Sequence, residues 1–234
     1  MTRSEVEILS KGSIEVQARF SNSSNNTLLV NVSFEGEDLL AVYKPEEGER
    51  PLWDFPGGLW RREIAAYQLS EFLGLDLIPL TLPRDDAPFG PGSLQRYVNE
   101  DTEHHYFTIR DDPEHHATLR AIAAFDVVAN NSDRKSGHVL LEGHRLWGID
   151  HGLCFHEEEK LRTVVWDFSG DSIEPGLLER IKMLKDSPPI ELIELLSPRE
   201  IAAMGDRADA LLSTGVLPFP DEDGPYPPYP WPLV

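Results

Sequence analysis

The sequence predicts an α+β protein in which strands dominate the first part of the chain and helices the second. Apolar residues alternate with period two through much of the first sixty residues, whereas helical periodicity prevails after residue 113. The 234 residues, 40% of them hydrophobic and 26% charged, suffice for one or two domains with an ordinary core. This composition excludes a disordered or fibrous chain.

The first part is predicted to open with a three-stranded meander. Residues 13–20 and 28–34 alternate, and a turn at 35–38 leads into a third alternating run at 39–44. Residues 45–58 contain three prolines and three glycines and are therefore expected to form a surface loop.

A largely buried helix is predicted from Leu59, because apolar residues recur at helical spacing until Gly74, a residue type that suits a C-cap. A short apolar segment at 75–82, a Pro/Gly-rich turn at 83–92 and a strand at 93–98 complete the first part.

The second part is predicted to consist of helices around one hairpin. A helix runs from near Pro113 to Val127 and ends at Asn130, and a hairpin turns at Gly143 between strands 139–141 and 145–149. Three more helices are expected at 174–185, 190–196 and 197–212, the last with a capping box. The tail, residues 215–234, has seven prolines and should be extended, strapped to the surface by Phe219, Tyr226, Tyr229 and Trp231.

Charge and cysteine content limit the function classes. Twenty-one Lys and Arg residues against 41 Asp and Glu residues give a formal charge of −20, which repels nucleic acids and anionic lipid surfaces. The single cysteine, Cys154, excludes an internal disulfide and a thiolate metal cage. No secretory or membrane-spanning segment is evident, so we expect a soluble cytoplasmic protein without a constitutive membrane anchor.

The hairpin is predicted to gather ionisable side chains. Antiparallel pairing places His138 and Asp150 side by side at its open end, and Asp133 lies on the adjoining loop. Two carboxylates beside an imidazole favour a bound cation, and Mg²⁺ bridged to a phosphate-bearing substrate is the usual arrangement in phosphoryl transfer. A capped loop with solvated acids is the alternative.

Lys44 and Glu63 extend this pattern. Lys44 closes an apolar strand and needs a partner, and Glu63 lies at the start of the following helix. A lysine on the third strand paired to a glutamate on the next helix holds the ATP phosphates in protein-kinase-like folds. In order along the chain, Lys44, Glu63, Asp133 and Asp150 therefore indicate phosphoryl transfer.

Residues 21–155 resemble the phosphatidylinositol 3-/4-kinase superfamily, and especially type II phosphatidylinositol 4-kinases and the short bacterial proteins related to them. Seven short blocks in the family's order carry the resemblance. They are the serine-rich turn at 21–24, V-Y-K-P at 42–45, E-I-A-A-Y at 63–67, I-P-L-T at 78–81, G-S-L-Q-R-Y-V at 92–98, N-S-D-R at 131–134 and I-D-H-G-L-C-F at 149–155.

The resemblance implies a two-lobed protein-kinase-like fold that binds ATP and Mg²⁺, with Mn²⁺ as the alternative metal. It implies a β-rich N-lobe at 1–98, a helical C-lobe at 99–214 and a proline-rich tail at 215–234. The implied catalytic residues are Lys44, Glu63 and Asp133, and the implied metal ligands are Asp150 and His138. The residues implied to bind ATP are Ser21, Ser23, Ser24, Lys44 and the adenine-binding backbone of Gln95, Arg96, Tyr97 and Val98.

His138 departs from the family pattern, which has an asparagine ligand at this position. Imidazole is a poorer Mg²⁺ ligand than an amide oxygen, so His138 indicates a water-mediated contact, a preference for Mn²⁺, weakened chemistry or a structural role. An inactive nucleotide-binding pseudokinase is therefore the main rival to an active kinase. Arg134 and Lys135 are expected either to contact phosphate or acceptor or to be solvated.

The acceptor is expected to be a hydroxyl of a protein or a small polar molecule. A phosphoinositide acceptor follows from the resemblance alone, because the charge of −20 disfavours anionic membranes. Transfer of AMP in place of phosphate remains open. The repeated Glu-His-His clusters at 103–105 and 114–116 raise a third class, a zinc hydrolase, but adjacent histidines diverge and polar loops are expected there.

Overall fold

The computed structural model describes residues 4–20, 25–224 and 226–234. Its first part is a five-stranded antiparallel sheet in the order β1-β2-β3-β5-β4. The strands are β1 (Ser13–Arg19), β2 (Leu28–Phe34), β3 (Glu37–Pro45), β4 (Thr81–Arg84) and β5 (Gly92–Arg96). The α+β class and the meander are confirmed. The turn predicted at 83–92 is too long, because Pro83 and Arg84 belong to β4.

A short helix before the sheet, α1 (Glu5–Lys11), was not predicted. Ser4 caps it, since the Ser4 hydroxyl accepts a hydrogen bond from the Glu7 N–H. Ile8 and Leu9 are buried in the core of the sheet lobe together with apolar residues of β2 and β3. Seven residues with two buried positions are too few to show a helical period in the sequence.

The buried helix predicted from Leu59 is confirmed as α2 (Leu59–Leu73), and Gly74 ends it in the left-handed conformation. Ten of its fifteen residues are buried. Ala65, Leu69 and Leu73 belong to the large core that is otherwise built by the second part of the chain. Since β4 and β5 also lie against it, α2 connects the sheet to the helical region.

The second part contains the predicted helices and hairpin. Asn130, in the left-handed conformation, ends the helix before the 131–134 block, and Ser197 and Glu200 form the predicted capping box. The elements are α3 (Tyr106–Ile109), α4 (His116–Ala129), β6 (Val139–Glu142), β7 (Arg145–Gly148), α5 (Pro175–Asp186), α6 (Ile190–Leu195) and α7 (Pro198–Thr214). Short 3₁₀ turns, Pro113–His115 and Ser136–His138, precede α4 and β6.

The proline-rich tail lies along the second part, where the predicted anchor Tyr226 has Lys160 and Arg162 each 5.3 Å from its ring centre. Phe219 and Trp231, by contrast, are 71% and 89% exposed. Tail carbonyls add hydrogen bonds: the Pro228 carbonyl accepts from the Thr163 N–H and the Trp166 indole at 3.1 Å each, and the Leu233 carbonyl accepts from the Ser136 N–H at 2.8 Å. The carbonyls of Pro228 and Leu233 thus bind the tail to the segments around Thr163 and Ser136.

None of the helices formed by the described residues combines the length and apolarity needed to span a membrane.

Candidate active site

The Lys44 ammonium group lies between two carboxylates that are distant in sequence. It forms an ion pair with Glu63, and its Nζ is 2.8 Å from Asp150 Oδ1. Burial by itself lowers the pKa of Lys44, but the charges of Asp150 and Glu63 outweigh burial and raise that pKa above its usual value. The structure thus holds a permanent cation where β3, α2 and the segment after β7 meet.

Glu63 connects the lysine to the segment that carries Asp150. Its Oε1 accepts from Lys44, and its Oε2 accepts a 3.0 Å hydrogen bond from the His151 N–H. The Glu63 side chain is almost fully buried, so both carboxylate oxygens need such partners. A buried charge with two defined partners fixes the position of Lys44 relative to Asp150.

Asp150 remains ionised and open to a ligand. The positive charge of Lys44 lowers the pKa of Asp150 far below its usual range, while half of the carboxylate side chain stays exposed. The Asp150 backbone has a φ of 60°, the left-handed conformation that a non-glycine residue seldom adopts. Such backbone strain occurs preferentially at functional sites.

His138 lies beside Asp150, as the hairpin register predicts. His138 Nε2 is 3.4 Å from Asp150 Oδ2, and the Ile149 N–H donates to the His138 carbonyl at 3.1 Å. Burial lowers the pKa of His138 to about 4, so the ring is neutral near pH 7. Its Nδ1 faces the Lys135 N–H at 3.4 Å, which assigns the ring proton to Nε2. In this tautomer His138 presents the Nε2–H, and not a lone pair, to Asp150.

Asp133 lies on the loop between α4 and β6. The Asn131 side chain accepts from the Asp133 N–H at 3.1 Å, which shapes the loop, and Asp133 Oδ2 is 2.9 Å from Lys135 Nζ. Burial raises the pKa of Asp133; Lys135 opposes this rise and the charge of Asp150 adds to it. Asp133 is therefore a more basic carboxylate than a solvated aspartate.

Arg134 has neither of the two roles expected from the sequence. Its guanidinium group is 1% exposed and pairs with Asp126 of α4 at 2.9 Å, where both side chains are enclosed. The same group donates to the carbonyls of His138 and Ile149 at 3.1 and 3.0 Å. Arg134 therefore holds together the open end of the hairpin. The signal that sequence reasoning missed is Asp126, a charged residue within the apolar stripe of a helix.

The adenine-binding backbone predicted at 95–98 is largely committed to the sheet. The Arg96 N–H donates to the Leu80 carbonyl, just before β4, at 2.8 Å, and the Tyr97 N–H donates to the Leu40 carbonyl of β3 at 2.9 Å. The Gln95 side chain donates to Thr81 at 2.8 Å. The N–H of Val98 makes no hydrogen bond with any part of the chain that the structure describes. Of these four residues, Val98 keeps a donor for a ligand.

The structure brings Lys44, Glu63, His138 and Asp150 into direct contact, and Asp133 close enough to be influenced by the charge of Asp150. Ser21, Ser23 and Ser24 lie outside the described residues. The exposed, ionised Asp150 carboxylate fits a divalent cation, and the neutral His138 imidazole beside it can add a second ligand if its Nε2 proton moves to Nδ1.

Comparison with known proteins gives a sequence relative and structural likenesses, one of which is to a kinase. Protein Rv2133c of Mycobacterium tuberculosis is 37% identical over 268 aligned positions, which cover 97% of this chain and 95% of that protein. The crystal structure of the proinflammatory kinase CtkA of Helicobacter pylori is similar with a TM-score of 0.50 at 10% identity, covering 89% of this chain and 94% of that chain. No protein-family model matches the sequence. The α+β fold is therefore kinase-like, as the sequence predicts.

Proposed function

We propose that this chain, which belongs to the same protein family as Rv2133c of Mycobacterium tuberculosis, is an ATP-dependent phosphotransferase. The observation that carries the proposal is the position of Lys44, paired with Glu63 and 2.8 Å from Asp150. In phosphoryl transfer, a lysine contacts the nucleotide phosphates and a carboxylate binds the metal that neutralises them. The kinase-like fold supports this assignment.

Lys44 binds the ATP phosphates in this proposal, and Glu63 holds it in place. When ATP binds, its phosphates replace Asp150 as the partner of the lysine ammonium group, while Glu63 keeps its hydrogen bond from the His151 N–H. Asp150 is then free to face a metal ion. Without a ligand, Lys44 is thus paired with both Glu63 and Asp150. With ATP bound, Lys44 would contact the phosphates and Asp150 the metal ion.

Asp150 and His138 are the proposed metal ligands, and Mg²⁺ or Mn²⁺ would supply charge neutralisation of the phosphates. Ligation through His138 Nε2 requires its proton to move to Nδ1, at the expense of the contact with the Lys135 N–H. A hard cation such as Mg²⁺ gains little from an imidazole, so direct ligation favours Mn²⁺. With Mg²⁺, His138 instead orients the Asp150 carboxylate.

Asp133 is the proposed base that orients the acceptor hydroxyl and takes its proton. A raised pKa suits this role, because a carboxylate with a higher pKa accepts a proton more readily. Lys135, 2.9 Å away, keeps Asp133 ionised before the acceptor binds. For adenine, the free Val98 N–H is the proposed donor, and the serine-rich turn at 21–24 is proposed to cover the phosphates.

The proposed acceptor is a hydroxyl of a protein or a small polar molecule. The sequence blocks are most similar to type II phosphatidylinositol 4-kinases, which would make a phosphoinositide the acceptor. However, a formal charge of −20 opposes binding to an anionic membrane surface.

We also propose the N-lobe at 1–98 and the C-lobe at 99–214 as the two units between which ATP binds.

A pseudokinase that binds nucleotide without turnover is the second candidate, and His138 is the observation that favours it. In the structure His138 presents its Nε2–H towards Asp150, whereas an asparagine would present an oxygen to the metal. Replacing His138 by Asn separates the two candidates. An active enzyme changes its preference between Mn²⁺ and Mg²⁺, whereas a pseudokinase gains turnover that the unsubstituted chain lacks.

The test incubates the full chain with γ-labelled or α-labelled ATP, each with Mg²⁺ or Mn²⁺, and follows label transfer and ATP consumption. We expect transfer of the γ label, and a loss of about 10²- to 10⁴-fold in rate for Asp133→Asn. Lys44→Ala should lower the rate comparably and weaken ATP binding, while Lys182→Ala, an exposed lysine on α5, serves as the matched control.

Activity that survives both Asp133→Asn and Lys44→Ala would contradict the assignment of the site. Transfer of the α label would replace phosphoryl transfer by AMP transfer at the same residues. Binding of ATP without turnover in either metal would leave the pseudokinase as the function.

A further inference from the structure

A second cluster of metal-ligating side chains lies before α4, apart from the residues that surround Lys44. Asp112, Glu114 and His115 each offer one ligand atom, and these atoms lie within 4.8 Å of one another. The 3₁₀ turn Pro113–His115 brings them together, because Asp112 caps it by accepting a 3.0 Å hydrogen bond from the Glu114 N–H. The turn therefore directs three donors to one side of the chain.

His115 is the unusual member of this cluster. It is 7% exposed, whereas Asp112 and Glu114 are exposed. The hydrogen bonds among the described residues leave the His115 ring without a partner, although its nitrogen faces the two carboxylates. Neither ring nitrogen is both enclosed and unbonded, so water can reach the nitrogen that faces the carboxylates. A cation between the three side chains can take the place of that water, because an imidazole nitrogen is a common metal ligand.

A fourth ligand comes from the turn of the β6–β7 hairpin. His144 Nδ1 is 3.3 Å from Glu114 Oε1, although thirty positions separate the two residues. Ligands at the corners of a tetrahedral zinc site, with bonds of ~2.0–2.1 Å, are about 3.3 Å apart. Glu114 and His144 have the spacing of neighbouring ligands, but His144 is not part of the group whose ligand atoms all lie within 4.8 Å of one another, so its exposed side chain would have to move to complete the shell.

The adjacent histidines His115 and His116 face different partners, as predicted for neighbouring residues. The predicted polar loop accounts for His116 but not for His115. His116 Nε2 is 2.9 Å from the Arg110 carbonyl, and its ring packs edge-on against Phe168. His116 therefore closes the loop, while His115 faces the carboxylates.

We propose that Asp112, Glu114, His115 and His144 form a binding site for a transition-metal ion, with Zn²⁺ as the best match. Imidazole and carboxylate ligands in a four-coordinate arrangement suit Zn²⁺, whereas Mg²⁺ prefers an all-oxygen shell. The ion would join the start of α4 to the turn of the hairpin. Because the loop of Asp133 follows α4 and Asp150 follows β7, this site ties together the two elements that carry those residues. It does not depend on the phosphotransferase proposal.

The test titrates Zn²⁺ into the metal-stripped full chain, without nucleotide, in competition with a chromophoric chelator. We expect one Zn²⁺ per chain, and binding weakened about tenfold or more in both Glu114→Gln and His144→Ala, since each removes a ligand. His104→Ala, a substitution in the other Glu-His-His cluster, should bind like the unsubstituted chain. Asp150→Asn should retain the ion, because it affects only the proposed nucleotide-metal site.

Glu114 and His144 are both exposed, so these variants are expected to fold, and circular dichroism verifies this. Unchanged affinity in Glu114→Gln and His144→Ala would overturn the proposal, as would the absence of zinc binding by the unsubstituted chain. Loss of binding in Asp150→Asn would also overturn it, by assigning the ion to the residues around Lys44.

Discussion

Two charged clusters build the candidate active site, and they differ in how much water reaches them. Asp126 and Arg134 are 0% and 1% exposed, and the arginine also binds two backbone carbonyls. Lys44 and Asp150 are 21% and 50% exposed and are held by a single buried carboxylate, Glu63. We call the first the closed cluster and the second the open cluster.

The difference separates a structural role from a proposed chemical one. Removing one partner of an enclosed ion pair leaves a buried charge without a counter-ion and out of reach of water. A half-exposed pair can exchange partners, since water and ligands reach it. The closed cluster therefore fixes the loops of Asp133 and Asp150, and the open cluster is available for phosphate and metal.

The largest effect on stability is expected for Arg134→Ala in the closed cluster. It leaves Asp126 buried without its cation, at a cost of about 3–5 kcal/mol in the free energy of unfolding. Lys44→Ala also leaves the buried Glu63 without its cation, but it should cost less, because Asp150 can turn to water and Glu63 keeps the hydrogen bond from the His151 N–H. Urea unfolding of both variants measures the difference. Equal losses would mean that enclosure does not distinguish the clusters.

A smaller effect is expected when the tail that supports the closed cluster is removed. Thr163 donates to Asp126 at 3.1 Å through its hydroxyl, and its N–H binds the Pro228 carbonyl of the tail. Ending the chain after Gly224 removes three hydrogen bonds of ~0.5–1.5 kcal/mol each, so we expect a loss of about 2–4 kcal/mol.

The affinity for ATP should change little in this shortened chain, since the open cluster does not touch the tail. Trp231→Ala is the control, because this side chain is 89% exposed. Calorimetric unfolding and ATP titration report the two quantities separately. A large loss of ATP affinity with unchanged stability would show that the tail supports the open cluster and not the closed cluster.

The smallest effect is expected for the pH dependence of the free energy of unfolding that comes from His138. This residue lies between the two clusters, since its carbonyl binds Arg134 and its ring lies beside Asp150. The pKa of His138 falls from its usual 6.5 to about 4, because burial outweighs the attraction of Asp150 and the charges of Arg134, Lys135 and Lys44 also disfavour the imidazolium. Between these values the unfolded chain binds the proton and the folded chain does not. Stability contributed by neutral His138 is therefore present above about pH 6.5 and is lost as the pH falls towards 4.

Asparagine cannot bind this proton, so His138→Asn should make the pH dependence of stability shallower by up to about 1.4 kcal/mol per pH unit. Urea unfolding of the metal-free protein from pH 7 to 4 measures the slope, with the exposed His104→Asn as control. An unchanged slope would show that His138 is protonated in the folded protein.

Local sequence patterns predicted much of the fold. The meander, α2 with Gly74, the hairpin and the capping box of Ser197 each depend on contacts between residues close in sequence. The side-by-side placement of His138 and Asp150 followed from the hairpin register, since pairing about a known turn fixes which residues are opposite.

Other features depend on contacts that no local pattern records. The tail was predicted to be strapped by aromatic side chains, but of these Tyr226 packs on Lys160 and Arg162 while Trp231 is exposed, and buried prolines and backbone carbonyls add contacts that depend on the surface that the tail meets. The commitment of the Arg96 and Tyr97 N–H groups to the sheet likewise depends on having strands on both sides of β5.

The sequence by itself determined the order of strands and helices and the identity of the charged residues at the candidate site, because periodicity and turn residues act over a few positions. The tertiary structure alone decided which charges are enclosed, as Arg134 is, and which stay open, as Asp150 does. It also decided that His144 meets Glu114. Burial and long-range proximity set the dielectric around a charge and the partners within its reach, and both arise only when distant segments pack together.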